Sequence, residues 1–132
     1  MSEKQSFHVS HLADEDFKVG GLRGHAEYRD LGISAATGGM VQAHVIRRHP
    51  DAKLEDIKAA AKRHYHDIQF QMIYVLKGWM RSEFKGHGAH TMKAGSCWLQ
   101  PSGTEHKVLD RSPDCEVLEI IMPAEFKTVE TE

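Results

Sequence analysis

The stretch HYHDIQFQMIYVLKG, residues 64–78, opens with two histidines one residue apart and then runs into an apolar segment. On an extended strand, residues i and i+2 project from the same face, so His64 and His66 can offer their nitrogens to one point. Beyond them the pattern alternates, with Gln71, Ile73 and Val75 on one side and Phe70, Met72, Tyr74 and Leu76 on the other. Gln71 stands at an odd spacing from His66, so the two share a focus only if a bulge or turn lies between them. Both faces of this segment are largely apolar. It is therefore expected to be buried on both sides, the second of them against another copy of the chain.

Working outward, everything after residue 64 reads as strands: QFQMIYVLK, WMRSEFKG, AHTMK, SCWLQ, EHKVLD and CEVLEIIM, each bounded by Gly, Pro, Ser or Asp. The links Lys77-Gly78, Gly86-His87-Gly88, Ala94-Gly95 and Ser102-Gly103 are short and hairpin-like. Upstream, AEYRDLGIS and GMVQAHVIRRH also read as strands, and residues 1–24 as loop with room for a short edge strand. PDAKLEDIKAAAKRH is the one helical pattern. Leu54, Ile57 and Ala61 share a face, with acids early and bases late, and Pro50 suits the start. One short helix among many strands, without βαβ alternation, predicts an all-β fold, an antiparallel sandwich or barrel. The acidic end EFKTVETE is expected to fray or to form a short cover on the sheet.

The 132 residues suit one domain, 1–132, with its core over about 24–122. A 40 % apolar and 27 % charged composition is that of a soluble globular chain. With a formal net charge of −2 and dispersed Lys and Arg, no footprint for nucleic acid is present. The apolar runs are too short for a membrane span and MSEKQSFHVSH carries no signal-peptide core. Cys97 and Cys115 stand 18 positions apart, outside any CxxC pair, and read as two buried thiols of a cytoplasmic protein. Histidine is the outlier, with ten residues, and spacing has to decide which of them matter.

A second spaced block follows in GSCWLQPSGTEHKVLD, residues 95–110. Gly95 opens a turn, five residues lead to Pro101, Gly103 follows, and His106 comes three positions later. In order and spacing the two blocks resemble the paired signature motifs of the cupin superfamily, small double-stranded β-helix (jelly-roll) barrels. The first motif is matched at His64, His66 and Gly78, with Gln71 where the family usually carries Glu. The second is matched at Gly95, Pro101, Gly103 and His106, with Asp110 in place of the usual Asn. The glycine that should open the first motif falls on Lys58, inside the helical pattern, so that entry turn is remodelled or carries an insertion. The resemblance implies a jelly-roll barrel with one short helix, and His64, His66, Gln71 and His106 as ligands of one divalent transition metal (Mn, Fe, Ni or Zn).

Neutral imidazole suits first-row divalent metals, whereas Gln71 offers only a neutral amide oxygen. Three histidines and a glutamine leave the metal's charge uncompensated, which strengthens Lewis acidity and attracts an anionic or enolisable ligand. The expectation is an enzyme that polarises a small oxygen-rich metabolite in isomerase or lyase chemistry. A glutamine in this ligand position is similar to the arrangement in small cupins that process unsaturated uronate sugars. An Fe(II) dioxygenase on the same site and a non-catalytic small-molecule sensor are the alternatives. His44, Arg47 and Arg81 are candidate substrate-binding residues on strands, the arginines through bidentate pairing with a carboxylate. Tyr74 opposes Gln71 in parity and is set aside, Glu105 reads as solvated, and His87 and His90 read as a solvent-exposed hairpin. A homodimer binding a small molecule, with neither nucleic acid nor membrane as partner, completes the expectation.

Overall fold

Period-two alternation, broken by turn residues, yields eleven strands in the computed structural model, which describes residues 5–20, 23–60 and 62–131. They are β1 (Lys18–Gly20), β2 (Arg23–Asp30), β3 (Gln42–Arg48), β4 (His64–Asp67), β5 (Phe70–Lys77) and β6 (Trp79–Phe84). The remainder are β7 (Gly88–Lys93), β8 (Cys97–Leu99), β9 (His106–Arg111), β10 (Glu116–Met122) and β11 (Lys127–Glu130). One sheet has the order β1-β2-β3-β10-β5-β8, the other β11-β4-β9-β6-β7, and neighbouring strands are antiparallel. Ile73, Val75 and Val117 of the first sheet pack with Met80, Phe84 and Met92 of the second and with Cys115. Each such buried side chain stabilises the fold by about 1.5–3 kcal/mol. This is the all-β jelly roll expected, with one difference: the sheets do not close into a barrel. β7 pairs only with β6 and β8 only with β5 among the described residues. The cleft between these two edges, about 540 Å³, is lined by Phe84, Met92, Trp98 and Gln100 among others.

The four links read as hairpin-like serve different purposes. Only Gly86–Gly88 joins paired strands, β6 and β7. Lys77–Gly78, Ala94–Gly95 and Ser102–Gly103 carry the chain from one sheet to the other. Turn residues report a reversal of direction, and in a two-sheet fold the reversal as often changes sheet as continues one. Gly78 is required at its crossing. Its φ is +66°, and a Cβ there would run into Ser112 Oγ and come within 2.6 Å of Asp114 Oδ1.

Three further local differences have physical reasons. AEYRDLGIS is only partly strand: β2 ends at Asp30, whose Oδ1 accepts the Gly32 N–H at 2.8 Å, and a single helical turn α1 (Ile33–Ala36) follows. The predicted helix forms as α2 (Leu54–Ala60), its start marked by Asp56 Oδ2 accepting the Lys53 N–H at 2.9 Å rather than by Pro50. Ile57 is fully buried while Leu54 is 40 % exposed; Ala61 lies outside the described residues. The acidic end is a strand, since β11 pairs along β4 from Asp67 to His64.

On β5 the inner face, Gln71, Ile73 and Val75, is buried as expected. The described residues leave part of the outer face uncovered, with Tyr74 39 % and Leu76 43 % exposed beside the half-buried Phe70 and Met72. Cys97 is exposed rather than buried, because β8 is an edge strand and turns it outward beside Tyr74; Cys115 is buried, and both thiols are free. Among the described residues no helix is long and apolar enough to cross a membrane.

Candidate metal centre

His64 and His106 open β4 and β9 and are direct partners across that ladder, while His66 follows two residues along β4. The ring centroids of His64 and His106 are 4.3 Å apart, with His66 at 4.9 Å and 5.1 Å from them. One nitrogen from each of the three lies within 4.8 Å of the others, an arrangement able to hold a metal ion. The tautomers are set locally. His64 Nδ1 donates to the Lys62 carbonyl at 2.6 Å and His106 Nδ1 to the Thr104 carbonyl at 2.8 Å. A carbonyl only accepts, so Nδ1 carries a proton, and in the neutral imidazole the lone pair is on Nε2. Both histidines are the first residue of their strand, and the carbonyl two positions back therefore lies outside the ladder. His66 Nδ1 lies 2.9 Å from Thr128 Oγ1 on β11.

The turn required between His66 and Gln71 is present at Ile68–Gln69, where the chain passes from the second sheet to the first. Gln71 is 2 % exposed on the inner face of β5. Its Oε1 accepts from Gln100 Nε2 at 3.1 Å. That same Gln100 Nε2 lies 3.2 Å from His106 Nε2 and 3.3 Å from its Nδ1. Because Nδ1 already carries a proton donated to Thr104, the acceptor is Nε2. One donor thus meets both Gln71 Oε1 and His106 Nε2, so the two lone pairs converge. Three imidazoles with ring nitrogens this close form a donor set of the kind that suits a first-row divalent cation.

Glu119 was not among the residues singled out in the sequence. It lies on β10 opposite Ile73 and His44, accepts from Gln71 Nε2 at 2.7 Å and pairs with His44 Nε2 at 2.6 Å. Burial pushes its carboxyl up, but the His44 hydrogen bond and charge, the Gln71 hydrogen bond and the His66 charge outweigh it, holding Glu119 below the usual carboxylate range. A signal existed: in CEVLEIIM, Glu119 shares its parity with Val117 and Ile121, both buried, and a carboxylate on an apolar face asks for partners. Gln100 stands one residue before the motif position Pro101, and Thr128 lies in the acidic end read as fraying or as a short cover.

Of the three candidate substrate-binding residues the structure brings only His44 to this network. It packs edge-on to Tyr28 at 5.3 Å and lines a cavity of about 700 Å³ together with Tyr28, Asp30 and Gln42. Arg47, three residues on, has the opposite parity; it pairs with Glu27 at 3.0 Å and lies over the Phe17 ring at 3.8 Å. Arg81 is exposed between the buried Met80 and Ser82 and faces away from the site. Glu105 pairs with Lys85 at 3.0 Å, and His87 and His90 are exposed. A continuous hydrogen-bonded path, His44–Glu119–Gln71–Gln100–His106, thus runs from the larger cavity to the cleft at the open edges.

Residues 54–121 match the sequence model of the Cupin domain. No curated protein matches the chain in sequence. Among solved structures, the polyketide cyclase RemF from Streptomyces resistomycificus is similar with a TM-score of 0.69 and 16 % identity, over 95 % of this chain and 87 % of that one. A sugar phosphate isomerase of the cupin superfamily from Silicibacter pomeroyi gives a TM-score of 0.62 and 20 % identity, over 88 % and 74 %. KdgF from a Halomonas species gives 0.61 and 15 %, over 88 % and 96 %. At these identities the likeness speaks for the fold alone.

Proposed function

The chain belongs to the cupin family, and from that premise we propose that it is an enzyme holding one divalent transition metal (Mn, Fe, Ni or Zn) through His64, His66, His106 and Gln71. It acts on a small oxygen-rich metabolite by non-oxidative isomerase or lyase chemistry. The observation that carries this is the convergence of His106 Nε2 and Gln71 Oε1 on one donor beside two further histidines whose ligating nitrogens are close by. When bound, the metal supplies Lewis acidity toward a carbonyl or enol oxygen. The chain's own groups bind and orient the ligand: Gln100 and Thr104, which line the cleft at the open edges and hydrogen-bond His106, offer polar contacts beside the three histidines.

One observation favours a second reading, an Fe(II) dioxygenase on the same ligands. Glu119 stands one hydrogen bond behind Gln71 and returns a negative charge that the four donors lack, which eases a higher metal oxidation state. The test is metal analysis after loading with Mn, Fe, Ni or Zn, followed by oxygen-uptake assays with enediols and catechols. Wild type is expected to retain one metal per chain, His64→Ala/His106→Ala none, and oxygen uptake to be absent. Equal metal content in both proteins sinks the ligand set; robust uptake replaces the first reading by the second.

The reading includes a homodimer. Tyr74, Leu76 and Leu99, the last 61 % exposed, form an apolar row on the outer faces of adjacent strands β5 and β8, flanked by Leu118 and Ile120 of β10. A second copy of the chain is the occupant that supplies an equal apolar face. Two free thiols support a cytoplasmic setting.

A further inference from the structure

Resting on the metal reading above, we propose that Glu119 is the positioning residue of the site: from β10 it takes the Nε2 side of the Gln71 amide, turns Oε1 toward His106, and supplies the negative charge absent from the ligand position on β5. An ionised carboxylate only accepts hydrogen bonds. At 2.7 Å from Glu119 Oε2 the amide atom of Gln71 must therefore be its nitrogen, since an oxygen there would face a second oxygen with no proton between them. Once Nε2 is committed to Glu119, Oε1 has to lie on the opposite side of the amide, where Gln100 Nε2 and His106 are found. An amide by itself has no preference between its two flipped orientations, and both Gln71 and its surroundings are buried. The carboxylate breaks that symmetry. Its other oxygen is held by His44 Nε2, so Glu119 cannot turn away without abandoning a second short contact.

The Gln71 amide carries no charge, and Glu119 contributes one negative charge a single hydrogen bond away from it. The carboxylate common in this family's first motif is thus displaced by one contact and delivered from another strand.

The arrangement predicts that the two residues can be exchanged. Gln71→Glu alone sets two carboxylates within one hydrogen-bond length, and should lower Tm by about 5 °C or more at mildly alkaline pH. Gln71→Glu/Glu119→Gln reverses donor and acceptor, since the new amide donates to the new carboxylate and its oxygen accepts from His44; most of the lost Tm should return. Glu119→Gln alone keeps an acceptor but removes the charge, and should weaken Mn²⁺ binding, read by isothermal titration calorimetry, by about 10-fold or more. Tm is measured on chelator-treated protein, so the cycle reads the pairing without any metal. Tm losses that merely add in the double variant, or Mn²⁺ binding by Glu119→Gln as tight as wild type, overturn the proposal. A wild type that binds no Mn²⁺ overturns the metal reading and the charge role with it, while the Tm cycle still upholds or overturns the pairing by itself.

Discussion

His66 Nδ1 lies 2.9 Å from Thr128 Oγ1, and this bond ties the centre of the fold to its last strand. His64 and His106 obtain the same service from carbonyls two residues upstream, so they are oriented by their own loops. The third histidine is tied to β11, which among the described residues pairs only with β4.

Replacing Thr128 by Val keeps the shape and removes the oxygen that orients His66. Metal affinity should fall by about 10-fold, within the range known for lost outer-shell partners, while Thr128→Ser retains it. Calorimetric Mn²⁺ titrations of the two variants check this. Equal affinity for Val and Ser would show that β11 packing, rather than the hydroxyl, holds the ring.

Cys97 shares the outer face of β5 and β8 with Tyr74 and Leu99, so it reports whether a second copy covers that face. Wild type should sediment as a dimer with slow Cys97 modification. Leu99→Glu should give a monomer in which Cys97 reacts about 10-fold faster, because a buried charge at an interface core is expelled. A wild-type monomer with rapid Cys97 labelling would remove the dimer from the proposed function.

Cys115 is 1 % exposed, and burial pushes its thiol up to about 11 from an ordinary 9.0. The folded state therefore resists forming the thiolate more than the unfolded state does. Stability from this group is complete below pH 9.0, declines as the unfolded thiol ionises, and is lost as pH rises through about 11. The loss should reach about 3 kcal/mol. Denaturant titrations across this range, compared in slope with Cys115→Ala, measure it. A thiol reagent should leave Cys115 unmodified in the folded protein at neutral pH and modify it on unfolding; rapid modification in the folded state contradicts the burial argument.

Much of the centre was legible because strand geometry is strictly periodic. His64 and His66 share a face by parity alone, and Gln71, Ile73 and Val75 follow the same rule. The same rule applied to residues 115–122 puts Glu119 beside Val117 and Ile121, so that residue was readable too. Arg47 and Arg81 show the limit of naming strand residues without assigning their face: one parity step separates Arg47 from His44, and that step puts it outside the sandwich. Turn residues were equally ambiguous, since glycine permits a reversal without specifying whether the next strand pairs with the last or crosses to the other sheet.

The sequence by itself determined most of the strands, the inward face of β5, the short helix and the two spaced blocks that carry His64, His66, Gln71 and His106, because these depend on local periodicity and spacing. Only the tertiary structure decided which strands lie side by side. It placed His106 opposite His64, brought Thr128 from the chain's end to His66, and seated Glu119 behind Gln71. Those pairings join residues 42 to 62 positions apart on separate strands: His64 to His106 at 42, Gln71 to Glu119 at 48 and His66 to Thr128 at 62. Contacts of that range are set by the packing of two whole sheets over one apolar core, a property no local stretch of sequence carries.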